Sequence, residues 1–260
     1  MSRIEKAFER TAAEGRAALV VYVTAGDPSL ERTPEVLAAC ERGGADIIEL
    51  GVPFSDPMAD GPTIQAASQR ALHAGTKVNG VFNALKEFRK NSQLPVLLFG
   101  YYNPVFTRGP QKFCEQAAGA GADGLLIVDL PPEEAEELRP HAEKEGLDLI
   151  YLLAPTSTPE RMKLVGQVAS GFVYYVQVTG VTGARSDVPK DLSGMVGKIR
   201  KHIDLPVGVG FGISSGEQAE AVARVADAVV VGSALVSRIA AAGNSQNLGE
   251  RVEQFVKELR

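Results

Sequence analysis

The segment Ile47-Ile48-Glu49-Leu50-Gly51 sets one carboxylate inside an otherwise apolar run. Pleating sends residues 47, 49 and 51 to one face and Ile48 and Leu50 to the other. Ile48 and Leu50 suit covering helices, so Glu49 points to the enclosed side. An ionised Glu there is costly, so it is paired, hydrogen-bonded or raised in pKa. A glutamate tuned toward neutrality suits general acid/base work, and a Glu fixed by a core hydrogen bond is the bland alternative. Asp60 follows in the stretch Pro53-Phe54-Ser55-Asp56-Pro57-Met58-Ala59-Asp60-Gly61-Pro62. Its prolines and Gly61 forbid regular structure and make a stiff loop, which also carries Asp56. Loop acids are commonly solvated turn formers, but a loop leaving the strand of Glu49 can fold back over it. Two carboxylates at different depths can then divide acid and base roles. A Mg²⁺ site made from Glu49, Asp56 and Asp60 stays open.

Glycine turns form a second group. Gly210-Phe211-Gly212-Ile213-Ser214-Ser215 and Gly232-Ser233-Ala234 each run from an apolar segment into a helix, and Gly180-Val181-Thr182-Gly183 opens a loop. Glycines admit an anion close to the backbone, and helix N-termini aim N–H groups at it. Neither late turn holds Lys or Arg, so the cradle is made of backbone dipoles and suits a phosphate monoester; plain turn chemistry is the alternative. The stretch 179–191, with Arg185, has no apolar stripe and reads as a loop able to close over a site. The stretch Phe99-Gly100-Tyr101-Tyr102-Asn103-Pro104-Val105-Phe106 stays apolar beyond the end of its strand, as a substrate rim, a partner patch or a return to the core.

Other chemistries find little support. His73, His141 and His202 fall in helix-like stretches with no pair at ligand spacing, against a His-rich zinc site. No apolar run contains a lysine, against a Schiff-base aldolase. Cys40 and Cys114 lie far apart, outside any C-x-x-C spacing, which suits a reducing cytoplasm. With 27 basic against 32 acidic residues and no long basic run, nucleic acid and anionic membrane are poor partners. Acids within Met1–Glu14 argue against a targeting peptide, and the charge-free run 164–184 is too polar for a membrane span.

Eight apolar runs must position these groups: Ala18–Thr24, Ile47–Gly51, Val96–Gly100, Leu125–Val128, Leu149–Leu153, Phe172–Val176, Val207–Gly210 and Val229–Val231. They are continuous rather than alternating, as in parallel strands covered on both sides. Helix signals lie between them: Ser29–Cys40, Pro132–Glu145, Thr158-Pro159-Glu160, and Ser215-Gly216-Glu217-Gln218, which is shaped like a capping box. Ser2-Arg3-Ile4-Glu5 starts an extra N-terminal helix. The alternation predicts an α/β fold, a (β/α)₈ TIM barrel forming one domain over residues 1–260. Ala45-Asp46, Ala122-Asp123 and Ala226-Asp227 each precede a strand, one turn reused. The long stretches 53–77 and 179–191 then leave the C-terminal face, where barrel chemistry is done.

The run Ile48-Glu49-Leu50-Gly51-Val52-Pro53-Phe54-Ser55-Asp56-Pro57-Met58-Ala59-Asp60-Gly61 resembles the signature of the tryptophan synthase alpha chain family. Val128-Asp129-Leu130-Pro131, Gly180–Gly183 and Gly210–Ser214 are similar to further motifs in the same order. The resemblance implies cleavage of indole-3-glycerol phosphate to indole and glyceraldehyde 3-phosphate, in tryptophan biosynthesis. It implies that Glu49 shuttles the proton and Asp60 holds the indole N–H. Tyr22, Gly100, Tyr102, Tyr174 and Thr182 would line the substrate pocket. Tyr22 stands where the family often has Phe, and Gly100 where a larger apolar residue is common. Gly183, Phe211, Gly212, Gly232 and Ser233 would take the phosphate. The resemblance implies no cofactor and no metal in this chain. It implies an α₂β₂ complex whose beta chain carries pyridoxal phosphate. Pro53, Asp56, Asn103, Pro104, Phe106, Asp129 and Arg185 would serve docking and closure. Another phosphosugar isomerase or epimerase, and a non-catalytic phosphosugar-binding barrel, are the competing readings. The first usually needs a Cys, His or metal ligand at a strand end; for the second, both acid positions are filled.

Overall fold

Continuous apolar runs become the staves of one closed parallel sheet. The alternation of their side chains decides what reaches its interior. The computed structural model describes residues 1–176 and 191–260; the expected site residues Thr182, Gly183 and Arg185 lie outside the described residues. The strands are β1 (Ala18–Thr24), β2 (Ile47–Gly51), β3 (Val96–Gly100), β4 (Gly124–Ile127), β5 (Asp148–Leu149), β6 (Tyr151–Leu153), β7 (Val173–Val176), β8 (Val207–Gly210) and β9 (Ala228–Val231). Their order is β5-β4-β3-β2-β1-β9-β8-β7-β6. The two ends of this order are separated in the chain by Ile150 alone, whose N–H donates to Leu125 O at 2.9 Å. The fifth expected run is therefore one stave in two pieces, pairing with β4 on one side and β7 on the other. The barrel closes through it.

The helices are α1 (Arg3–Ala13), α2 (Thr33–Gly43), α3 (Pro62–His73), α4 (Val78–Arg89), α5 (Tyr102–Arg108), α6 (Pro110–Ala120), α7 (Arg139–Lys144), α8 (Pro159–Val168), α9 (Leu192–Arg200), α10 (Gly216–Ala223), α11 (Ser233–Ala242) and α12 (Leu248–Glu258). The extra N-terminal helix α1 starts with a complete capping box: Glu5 N–H donates to Ser2 Oγ at 3.1 Å, and Ser2 N–H to Glu5 Oε2 at 2.6 Å. Its Ile4, Ala7 and Phe8 plug the N-terminal end of the barrel against Val20, Ile47 and Phe172. Two sequence expectations change. The helix expected over Ser29–Cys40 begins at Thr33, with Pro34 in its first turn. The single helix expected over Pro132–Glu145 is a 3₁₀ turn, Pro132–Glu137, followed by α7. Pro140 explains the break: it has no N–H to give Glu136, and its ring crowds that carbonyl.

The three Ala-Asp turns are one device repeated at the barrel floor. Each Asp accepts the N–H of a residue in or at the head of the neighbouring strand: Asp46 from Leu19 at 2.9 Å, Asp123 from Val96 and Asp227 from Val207, both at 2.8 Å. Each Asp N–H donates back to the carbonyl of the same residue. Arginines complete the carboxylates. Arg16 and Arg10 reach Asp46 at 2.6 and 2.7 Å, with Arg260 at 3.4 Å. Arg89 and Arg3 hold Asp123, and Arg200 holds Asp227. Burial pushes the Asp46 carboxyl up, but the Arg16 guanidinium and the Leu19 N–H outweigh it and hold the group below its ordinary range.

Candidate active site

Glu49 points into the barrel, in register between Tyr22 of β1 and Leu97 of β3. Ile48 and Leu50 pack outward against the helices, as their alternation requires. The Glu49 side chain is buried, and its Oε1 has no hydrogen-bond partner. Burial alone raises its pKa to about 8. Tyr22 and Tyr174 share its surroundings. Burial, and then the negative charge of Asp60, holds the Tyr22 proton on; burial and the charge of Glu49 do the same for Tyr174. Both phenols are neutral at working pH. Two glycines make room for them: a Cβ on Gly51 would stand 2.1 Å from the Tyr22 hydroxyl, and one on Gly210 would stand 2.4 Å from that of Tyr174. Of the adjacent tyrosines, Tyr174 faces the interior cluster and Tyr175 the outer shell.

Asp60 comes down over this mouth from the loop after β2. The loop is internally braced: Met58 N–H donates to Asp56 O at 2.9 Å, Asp60 N–H to Pro57 O at 3.1 Å, and the Gln65 amide to Asp60 O at 2.9 Å. Burial raises Asp60 to about 6, opposed by a hydrogen bond from Tyr101. Asp56 goes the other way, exposed, and takes the Ser55 hydroxyl at 2.5 Å. Among the described residues no three His, Cys, Asp or Glu side chains are grouped to hold a metal ion, so the Mg²⁺ alternative is not assembled.

Across the mouth from these acids, β8 ends in Gly210 and Gly232 directly follows β9. Gly212 has φ +89, a conformation that favours glycine. Gly232 is the N-cap of α11 and contributes no side-chain bond there, leaving the helix start as backbone N–H. Its backbone lies beside Tyr22, where a Cβ would rest in ordinary contact 3.4 Å from the Tyr22 Cβ. The Phe211 ring packs on the outer shell. At the head of α10, Ser215 Oγ accepts the Gln218 N–H at 3.4 Å, while the Gln218 side-chain Oε1 accepts the Ser214 N–H at 2.8 Å, so the expected capping box closes one residue early. A cavity of about 690 Å³ runs outward from the mouth past Ala59, Val128, Leu152 and Val176 to Pro131 and Arg161.

The Tryptophan synthase alpha chain family matches residues 8–260. The chain belongs to that family. The tryptophan synthase alpha chain of Geotalea uraniireducens is 53% identical over all of this chain and 97% of its own length. That of Geobacter sulfurreducens is 51% identical over all of this chain and 98% of its own. The crystal structure of tryptophan synthase subunit alpha from Legionella pneumophila matches with a TM-score of 0.92 and 39% identity, covering 100% of this chain and 97% of that one. A structure of Mycobacterium tuberculosis tryptophan synthase matches with a TM-score of 0.91 and 38% identity, covering 99% and 96%.

For a tryptophan synthase alpha chain the remaining expected residues divide by position. Gly100 is one step out of the inward register: a Cβ on it would meet Val52 at 3.5 Å, outside the mouth. The side chain that closes on Tyr22 belongs to Phe99, edge to face at 5.2 Å. Pro53 is buried at the root of its loop. Asp129 accepts the Tyr102 N–H at 2.7 Å and so caps α5, while the Tyr102 hydroxyl donates to Glu137 at 2.6 Å. Tyr102 thus braces the rim. Asn103 is exposed and Pro104 half-buried; Phe106 is 66% exposed, and Met58 on the neighbouring loop is 91% exposed. Phe99 and Tyr101, which the sequence placed only within the apolar stretch Phe99–Phe106 without a role of their own, belong to the mouth. The signal was present, because Leu97, Phe99 and Tyr101 continue one alternation.

Proposed function

We propose that this chain splits indole-3-glycerol phosphate into indole and glyceraldehyde 3-phosphate by a retro-aldol reaction run on carboxylates. Glu49, protonated at neutral pH, gives its proton to indole C3. Asp60, ionised at neutral pH, accepts the ring N–H and stabilises the positive charge that appears there. The bond from C3 to the glycerol carbon then breaks. Its electrons enter the ring C=N and restore aromaticity, while the hydroxyl on the departing carbon becomes the aldehyde. Glu49, now a carboxylate, takes that hydroxyl proton and is returned to its starting state. Atoms and charge balance with the substrate itself as electron sink, so the reaction needs no cofactor in this chain.

Backbone N–H groups at Gly183, Gly212, Gly232 and Ser233, with Phe211 beside them, would hold the phosphate. Tyr22, Phe99, Tyr174 and Thr182 would flank the ring and the glycerol. Residues 1–260 work as one barrel domain in the cytoplasm. The partner is a tryptophan synthase beta chain in an α₂β₂ complex, where pyridoxal phosphate belongs to the beta chain. Met58, Asn103, Pro104 and Phe106 give the docking rim, with Asp129 bracing it. Asp56 and Arg185 serve closure. Two buried thiols, Cys40 and Cys114, fit a reducing compartment. Among the described residues no helix is long and apolar enough to cross a membrane.

The observation that carries this reading is the unpartnered, buried carboxyl of Glu49 at the barrel mouth. Glu49→Gln keeps the shape and removes the proton. Indole release should fall by about a hundredfold or more, while a non-cleavable indolylalkyl phosphate still binds with nearly the parent affinity by calorimetry. Indole formation near the parent rate would remove Glu49 from the chemistry.

A further inference from the structure

We propose that Tyr101 is a positioning residue for Asp60, fastening the loop of that acid to the first turn of α5. This rests on the reading of Asp60 as the carboxylate that holds the ring N–H. Tyr101 stands directly after β3 and is the N-cap residue of α5. Its backbone is extended, with φ −113 and ψ 158, and the next N–H, that of Tyr102, is held by Asp129 at 2.7 Å. The root of the side chain is therefore fixed by a strand below and a capped helix above. Only 5% of Tyr101 is exposed.

From that root the side chain grips the Asp60 loop at three places. Its ring stacks on Phe54 at 5.1 Å with 30° between planes. Its hydroxyl accepts the Ala59 N–H at 3.0 Å. The same hydroxyl stands beside the Asp60 carboxyl and opposes the rise that burial gives its pKa. These points lie on both sides of Met58, the exposed tip of the loop. Gln65, by contrast, holds the Asp60 main-chain carbonyl and leaves the carboxylate free to turn. A buried phenol next to an acid keeps its own proton, so Tyr101 is a hydrogen-bond donor and not a proton source. Tyr22 from β1 is the other titratable group that feels Asp60, and it too stays neutral; Glu49 from β2 acts on Tyr22. The fixed donor favours the ionised carboxylate and points it into the mouth before substrate arrives.

Tyr101→Phe keeps the stack on Phe54 and deletes the hydroxyl. The test follows kcat/KM for indole-3-glycerol phosphate against pH, with the beta chain present, and monitors folding by thermal melting. Loss of a donor to a charged acceptor should move the acid limb up by about one pH unit. Replacing Tyr101 with 3-fluorotyrosine keeps the shape and strengthens the donor, so the limb should move down. A limb that stays in place in either folded variant overturns the proposal, including a loss of activity that is equal at every pH. Asp60→Asn separates the two ideas. If the acid limb survives in that variant, Asp60 is not the titrating acid and the functional reading of Asp60 fails. If the limb is abolished there yet unmoved by the changes at Tyr101, only the role of Tyr101 fails.

Discussion

Burial pushes Glu49 and Asp60 in the same direction, yet they settle on opposite sides of neutrality, at about 8 and about 6. The difference is one of depth and partners. Glu49 is sealed among apolar staves with one oxygen unpaired, whereas Asp60 is shallower and receives a donor from Tyr101. On the proposed mechanism, activity requires Glu49 protonated and Asp60 ionised. Lowering the pH through about 6 therefore removes the anion, and raising it through about 8 removes the acid. A kcat/KM profile should be bell-shaped with its maximum near pH 7, midway between those values. A profile flat from pH 5 to about 9 would contradict this division of roles. At this scale the sequence was informative where alternation applied. Glu49 inward between Ile48 and Leu50 needed only the pleat. The same rule carried across the ladder would have put Phe99 inward and Gly100 outward, because Glu49 pairs with Leu97. The depth of Asp60 was not legible, since it depends on a loop whose anchor comes from another strand.

At the scale of the element, the barrel floor shows how a short motif becomes architecture. Asp123 is buried, accepts the Val96 N–H and is held by Arg89, itself largely buried. Asp123→Ala would leave both the N–H and the guanidinium without this acceptor. Removing one partner of a buried pair costs about 3–5 kcal/mol. Urea unfolding should show that loss as a lower midpoint with an unchanged slope. A change below about 1 kcal/mol would mean that the clamp is dispensable. The repeated Ala-Asp was visible in the sequence, but its purpose was not: the partner N–H groups lie on neighbouring strands, and the arginines come from α1, α4, α9, the turn after α1 and the end of the chain past α12. The break between the 3₁₀ turn and α7 was legible in principle, because Pro140 stands in the middle of the stretch read as one helix. The division of the fifth stave at Ile150 had no sequence signal, since the run Leu149–Leu153 is uniformly apolar.

Over the whole molecule the barrel separates its tasks by face. The floor is plugged by α1 and tied by ion pairs, while the mouth carries the acids, the glycine turns and an exposed apolar rim. Continuous apolar runs and their number made this plan legible, because parallel strands covered on both sides leave that pattern. The rim carries a consequence for assembly. Phe106 is 66% exposed on α5, one helix turn beyond the Tyr102 bonded to Glu137. Phe106→Asp should weaken association with a beta chain by more than about tenfold in sedimentation or calorimetry, as loss of a central aromatic anchor does. The stability of the isolated chain should change by no more than about 0.5 kcal/mol, since the side chain is not in the core. Unchanged affinity would place the docking surface elsewhere.

Arg10, in the last turn of α1, and Arg260, just past α12, meet on the same Asp46 carboxylate. Two helices far apart in the chain thus converge beneath the floor, on the side away from the substrate. A segment inserted at the exposed floor turn around Gly146 would leave every stave uncut and stay clear of the mouth. The underside is therefore suited to carry inserted cargo while catalysis and partner docking proceed above.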